Sequence, residues 1–224
     1  FTSFNDPMFS LNYNNLNGFE TAAVVLSDIL VDDEAVEGGS YSINLSGLSI
    51  NGLVLTRDSS PMDQVAVETD TSIIPLKTGD DGRFSLTLSG VEKQLSASLS
   101  FSKSESPSIV TSADALDALR LSVGLNTSDG KNDAFSLIAA DFDQSGKVTS
   151  SDALSILKYS VGLTTQQDAK WVFVDTAGDY SKVSKSNASY TGGVSIADLS
   201  ADTSVSLTGI LIGDVNDSYS GLIA

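Results

Sequence analysis

Apolar and polar residues alternate along much of the first hundred positions. Tyr41, Ile43 and Leu45 are interleaved with Ser42 and Asn44. Phe84, Leu86 and Leu88 alternate with Ser85 and Thr87, and Leu95, Ala97, Leu99 and Phe101 repeat the pattern. A period of two places one set of side chains on one face of an extended chain, so each run predicts a half-buried strand. Leu53-Val54-Leu55 and Val65-Ala66-Val67 add two short apolar runs, with Arg57–Pro61 as a turn between them. Gly47 and Gly52 punctuate this region, and Asp80-Asp81-Gly82 has the composition of a hairpin turn. Thr21–Leu30 fits a strand or a short helix, and 1–37 is otherwise without a clear period. Short strands with turn signals at this spacing predict an antiparallel β-sandwich over 1–102.

Near residue 103 the period changes. Val110–Leu125 aligns without gaps with Val148–Leu163, at a spacing of 38 residues, and most aligned positions are identical. Such self-similarity marks a duplication. Leu116, Leu119 and Val123 lie at i, i+3 and i+7, as do Leu154, Leu157 and Val161, which predicts a helix in each copy. Gly124 and Gly162 stand where those helices should stop. Two helices about a pseudo-twofold axis are expected within 103–167. Beyond them, Trp171–Val174 and the apolar positions of 205–212 predict strands, and Tyr180–Gly193 reads as loop. These C-terminal strands, within 168–224, are expected to pair with the N-terminal sheet or with each other. The fold class is therefore α+β: a sandwich, a helical pair and C-terminal strands.

Composition narrows the chemistry. The 224 residues hold 41% hydrophobic and 18% charged residues, a core-forming balance, with no apolar run of membrane-spanning length. Twenty-nine acids against 12 bases give a net charge of −17, which argues against gripping nucleic-acid phosphates. There is no cysteine and no histidine. That removes thiolate and imidazole metal ligands, Cys nucleophiles and the Ser-His-Asp arrangement. Hard oxygen ligands remain, and they suit a cation such as calcium. The acidity and the wealth of Ser, Thr, Asn, Asp and Gly suit a secreted protein, with an acidic cytosolic protein of a halophile as the alternative. A chain that starts at Phe1 without a signal peptide reads as an excised or processed piece.

The order of signals in the first region carries a resemblance. Asn51-Gly52-Leu53-Val54, Ser60-Pro61-Met62, Val65-Ala66-Val67 and Thr78-Gly79-Asp80-Asp81-Gly82-Arg83-Phe84 follow one another. This series is similar to the carboxypeptidase regulatory-like family of β-sandwich modules, from about residue 38. The resemblance implies a spacer or accessory domain without an active site.

The second repeat is preceded by Asp141-Phe142-Asp143-Gln144-Ser145-Gly146-Lys147-Val148-Thr149-Ser150-Ser151-Asp152. Counted from Asp141, oxygen-bearing side chains fall at positions 1, 3, 5, 9 and 12, with Gly at 6, the ligand order of an EF-hand loop. Alternate residues early in the loop point inward, so Asp141, Asp143 and Ser145 converge. Gly146 permits the turn that brings the Lys147 carbonyl to the ion, Thr149 can hold a bridging water, and Asp152 closes the shell. An Asp at position 12 followed by Asp152-Ala153-Leu154-Ser155-Ile156-Leu157-Lys158-Tyr159 resembles the dockerin family. Dockerins carry two loop–helix halves, bind calcium and dock into cohesin modules. In the first half the helix matches, but the loop positions fall on Lys103, Glu105, Pro107 and Ser108, and only Asp114 of the ligand set remains. The resemblance implies one Ca2+ site and a partner surface at Ser112, Ala113, Ser150 and Ser151. The succession of sandwich, helical pair and terminal strand also resembles segments of very large secreted bacterial surface proteins and adhesins.

Weaker signals read as turns. Asp214-Val215-Asn216-Asp217-Ser218 begins like another calcium loop, but Tyr219 replaces the glycine and no position-12 acid follows. Asp175–Asp179 and Asp129–Asp133 are turn-like, as are the clusters Asp32-Asp33-Glu34 and Asp80-Asp81. None is a pair of carboxylates in a sugar-binding cleft. Asn187-Ala188-Ser189 fits a glycosylation sequon, and Asp6-Pro7 is an acid-labile bond. The expected function is a non-catalytic, calcium-stabilised structural or adhesive module of a large extracellular or cell-surface bacterial protein. The alternative is a dockerin attaching an enzyme to a cohesin-bearing scaffold. Expected partners are a cohesin-type module or neighbouring domains of the same protein, with no nucleic acid and no membrane span.

Overall fold

The computed structural model describes residues 21–25, 29–31, 34–36, 40–44, 48–69, 76–88, 95–102, 109–163, 165–199 and 201–219. Asp6-Pro7, Asp32-Asp33 and the first-repeat positions Lys103, Glu105, Pro107 and Ser108 lie outside them. The chain divides into two compact units, 1–47 with 89–92, and 48–88 with 93–224. In the first, β1 (Thr21–Val25) pairs antiparallel with β4 (Ser40–Asn44), and β2 (Ile29–Val31) with β3 (Glu34–Val36). The described parts of the stretch that fitted strand or helix, 21–25 and 29–30, are thus extended.

Among the described residues the second unit holds two four-stranded sheets and three helices, and its sheets draw strands from both sides of residue 103. Strands β5 (Leu48–Leu55), β6 (Ala66–Thr69), β7 (Leu76–Lys77), β8 (Arg83–Leu88) and β9 (Leu95–Ser102) precede the helices. Strands β10 (Trp171–Asp175), β11 (Val194–Leu199) and β12 (Thr203–Leu211) follow them. One sheet has the order β10-β12-β5-β8 and the other β11-β9-β6-β7. The C-terminal strands do both things the sequence left open: β10 pairs antiparallel with β12, and β12 pairs with β5. That last pairing is parallel, with Thr203 opposite Ile50 and Thr208 opposite Leu55, whereas the described ladders within 48–102 are antiparallel. A parallel neighbour needs a long crossover, and the chain between β5 and β12 supplies it.

Two local expectations also change. Gly52 does not end a strand; it lies inside β5 opposite Phe84, where a methyl group would fall within the Phe84 ring. Asp80-Asp81-Gly82 is a turn, closed by Gly79 N–H and Gly82 N–H bonds of 3.0 and 2.9 Å, but not a hairpin. It carries the chain from β7 in one sheet to β8 in the other. Along β5 the pleat buries Ile50 and Val54 and exposes Asn51.

The helices are α1 (Ser112–Ser122), α2 (Ala134–Ala140) and α3 (Ser150–Ser160). Both repeat helices open on a capping box, Thr111 with Asp114 and Thr149 with Asp152. Each is followed by a left-handed glycine, Gly124 at φ 82° and Gly162 at φ 74°, as expected. Their buried face is Asp114, Ala115, Asp117, Ala118 and Leu121 in α1, and Asp152, Ala153 and Ile156 in α3. The leucine stripe that predicts the helices is therefore not the face they bury: Leu116, Leu119, Leu154 and Leu157 are 54, 43, 52 and 40% exposed. The alanines let α1 and α3 pack side by side beneath it. Helix α2 and strand β11 have no counterpart in the sequence reading.

Candidate metal site

The site is built at the start of α3. Asp141 caps the end of α2, and Asp152 stands in the first turn of α3, so two helix ends deliver two carboxylates to one loop. Thr149 accepts a hydrogen bond from Ser151 N–H at 3.2 Å, while its own N–H and hydroxyl each donate to Asp152 Oδ2 at 2.8 Å. That box fixes the Asp152 side chain, and its other oxygen accepts from Asp143 N–H at 3.2 Å. Carboxylate oxygens of Asp141, Asp143 and Asp152 lie within 4.8 Å of one another, with Asp141 and Asp152 buried and Asp143 exposed.

Backbone donors hold the loop around these acids. Ser145 N–H donates to Asp141 Oδ1 at 3.0 Å and to Asp143 Oδ1 at 2.9 Å, and Gly146 N–H donates to Asp141 Oδ2 at 2.8 Å. Ser145 Oγ is 3.5 Å from both Asp141 Oδ1 and the Lys147 carbonyl, which brings two more oxygens to the same place. Gly146 has φ 82°, a left-handed conformation in which an L side chain is strained. Val148 is buried and anchors the loop to the core, and Phe142 lies buried with its ring 5.8 Å from that of Tyr159. Of the expected ligands, the structure thus gathers Asp141, Asp143, Ser145, the Lys147 carbonyl and Asp152. It places Thr149 at the helix cap, where its hydroxyl serves Asp152.

The Tyr180–Gly193 loop does more than connect strands. Val148 N–H donates to the Lys185 carbonyl and Ala188 N–H to the Gly146 carbonyl, each at 2.8 Å, and Gln144 Nε2 donates to the Tyr190 hydroxyl at 2.8 Å. This clamp was missed in the sequence, where its Ser, Asn and Gly content signals only a loop. Its pattern is one buried small residue, Ala188, between exposed polar ones.

The acids repel one another in this pocket. Burial raises the Asp141 pKa to about 6, and the charges of Asp152 and Asp143 add to it against the Gly146 hydrogen bond. Burial also opposes ionisation of Asp143, but hydrogen bonds from the Ser145 hydroxyl and amide outweigh it and leave that pKa lowered. Three convergent carboxylates with only oxygen donors around them match the chemistry of a hard divalent cation.

Several other acidic turns are engaged by backbone amides or by a lysine. Asp133 caps α2, Asp129 pairs with Lys131 at 3.1 Å, and Asp81 accepts from Arg83 N–H. Asp175 and Asp179 accept from the amides of Ala177 and Ser181. Ser112, Ala113, Ser150 and Ser151 are all exposed, beside an apolar groove between α1 and α3 lined by Leu116, Leu119, Leu154 and Leu157. No described helix is long and apolar enough to cross a membrane. A scan against protein-family models found no match, and searches of curated proteins and of solved structures returned none either.

Proposed function

We propose that this chain is a non-catalytic module whose second repeat binds one calcium ion and is stiffened by it. The observation that carries the reading is the convergence of Asp141, Asp143 and Asp152 within 4.8 Å on a loop already closed by Gly146. An ion there offsets three mutually repelling carboxylates and ties the end of α2 to the start of α3. Calcium is favoured over magnesium because the candidate ligands are many and mix carboxylates with a hydroxyl and a backbone carbonyl, as calcium's larger coordination shell accepts. The acidic composition, rich in Ser, Thr, Asn, Asp and Gly, supports an extracellular or cell-surface setting and a structural or adhesive role in a large bacterial protein. There, extracellular calcium keeps even a weak site filled. We also infer that the two four-stranded sheets face each other as a β-sandwich of the carboxypeptidase regulatory-like kind. Ile50, Val54 and Phe84 of one and Val67 of the other belong to one buried core. Calcium titration by calorimetry is the test. The heat of binding one ion is expected to disappear in Asp141→Ala with Asp143→Ala; the same heats in that variant would refute the site.

A second reading, a dockerin that docks into a cohesin-type module, is favoured by a specific observation. The helix starts Ser112 and Ser150 are uncovered, and the duplicated leucines flank an open groove between them. An apolar face of this kind, contributed by both repeat helices, suits a protein partner. Purified cohesin modules with calcium present test it. Binding weakened by Leu119→Glu and Leu157→Glu is expected, and failure of every cohesin to bind would leave the structural role alone.

A further inference from the structure

The first repeat lacks a contiguous loop, yet its helix start is built like that of the second. Ile109-Val110-Thr111-Ser112-Ala113-Asp114 matches Lys147-Val148-Thr149-Ser150-Ser151-Asp152, with both valines buried. Thr111 N–H and its hydroxyl donate to Asp114 Oδ2 at 2.8 and 2.9 Å, as Thr149 does to Asp152. What faces the free oxygen of Asp114 is the segment after β12. Val215 N–H and Asn216 N–H donate to Asp114 Oδ1 at 2.9 and 3.2 Å, the role Asp143 N–H plays for Asp152. Ser218 N–H and hydroxyl donate to Asp214 Oδ1 at 2.9 and 3.0 Å, and Tyr219 N–H to Asp214 Oδ2 at 3.2 Å. Those are the partners four and five residues on that Asp141 has in Ser145 and Gly146. Asp217, at φ 61°, turns left-handed at the place of Gln144, at φ 55°.

One further observation points to a ligand. Asn216, in the place of Asp143, has a buried side-chain oxygen that accepts no hydrogen bond. A buried acceptor without a donor is costly and calls for a partner. The backbone N–H of Asn216 donates to Asp114 Oδ1 at 3.2 Å, which sets the residue against that carboxylate. Asp217 is engaged elsewhere, 3.7 Å from Arg57 and 3.9 Å from Lys131, and Arg57 also holds the Asp214 carbonyl at 3.0 Å.

We propose that Asp114, Asp214, Asn216 and Ser218 form a second site for a divalent, oxygen-preferring cation, assembled from a split loop. The C-terminal segment gives the first half of the ligand set and the first repeat gives the second half. The position-12 acid that seemed missing after Ser218 is Asp114, and the ligands that seemed missing before Asp114 are at 214–218. An ion bound there joins segments about a hundred residues apart, since Val215 and Asp114 are separated by 101 positions. The site stands on its own residues, so it and the Asp141 site can each be lost alone.

Calcium stoichiometry of the full chain, measured by equilibrium dialysis, tests it. The unaltered chain is expected to bind two ions, Asp141→Ala with Asp143→Ala one, and Asn216→Ala one. Asn216→Ala removes no hydrogen bond of that oxygen, so its fold should persist. A single ion lost with the Asp141 change overturns the split site and leaves the first standing; no ion in any chain overturns both. Asn216→Asp separates an ion ligand from a structural turn. It is expected to raise the melting temperature in calcium and lower it in chelator. A melting temperature lowered in both, or calcium binding unchanged in Asn216→Ala, overturns the proposal.

Discussion

Asp141 concentrates the electrostatic tension of the candidate site. Its pKa of about 6 lies above the ordinary value of 3.8, so in the metal-free chain protonation favours the folded state. That contribution is present below the unfolded value and is lost as pH rises through about 6. Cation binding needs the ionised form, so the sign reverses with metal present. Calcium affinity is expected to fall as pH drops below about 6, with a proton released on binding that makes the calorimetric heat depend on the buffer. An affinity flat across that range would mean that Asp141 is not a ligand. Gly146 is the steric counterpart. At φ 82° an added methyl group is strained and would stand 2.7 Å from Ser189 Oγ. Gly146→Ala is expected to cost about 1–3 kcal/mol and to weaken calcium binding. Ser189→Ala in the same chain should recover only the steric part, which equilibrium unfolding of the two variants would show.

At the scale of elements, the repeat helices separate pattern from burial. Leu121 is 1% exposed beneath α1, whereas Leu119 is 43% exposed on its outer face. Leu121→Ala is expected to cost about 2–5 kcal/mol. Leu119→Ala should stay within about 0.5 kcal/mol, and urea unfolding of both variants checks the contrast. Equal losses would mean the stripe is covered. Thr111→Ala and Thr149→Ala should each cost about 1 kcal/mol, since each removes a cap that also steadies an acid. The same contrast explains what was legible. A 3.6-residue period of leucines announces a helix whichever way it faces, so α1 and α3 could be read and their buried side could not. That side is alanine and aspartate, Ala115, Ala118 and Asp117, whose burial depends on the neighbouring helix and on Ser128, which donates to Asp117 at 2.6 and 2.8 Å. Helix α2 escaped because Ser136–Ala140 is buried all round and shows no period. The strands with alternating residues were legible; β7, of two residues, and the sheet to which each strand belongs were not, because pairing is set by tertiary contacts.

For the whole molecule, the Asp141 loop was readable because its candidate ligands are contiguous, and the clamp at 185–190 was not, because two of its contacts are made by backbone groups that any sequence carries and the third joins Gln144 to a tyrosine 46 residues away. The C-terminal loop was half readable for the same reason: Asp214, Asn216 and Ser218 are adjacent in the chain, and Asp114 is not. The clamp and the C-terminal loop bring the ends of the second unit to the helices. Arg57, in the turn after β5, reaches Ser136 at 2.7 Å and the Asp214 carbonyl. Calcium should therefore act as a brace on one end of this unit and not as a switch. Binding to the native state alone adds RT ln(1 + [L]/Kd), about 2.7 kcal/mol at a hundredfold excess over Kd. Chelation is expected to lower the melting temperature and to loosen the amides of Asp141–Val148 and the first turn of α3 first. The ladder between β5 and β12 needs no ion, since its hydrogen bonds run between backbones over the buried Ile50, Val54 and Leu207. Hydrogen exchange with and without calcium measures this directly. Equal protection in both conditions would make the ion incidental to stability, whereas loss of protection throughout β5 and β12 would make it a switch of the whole unit.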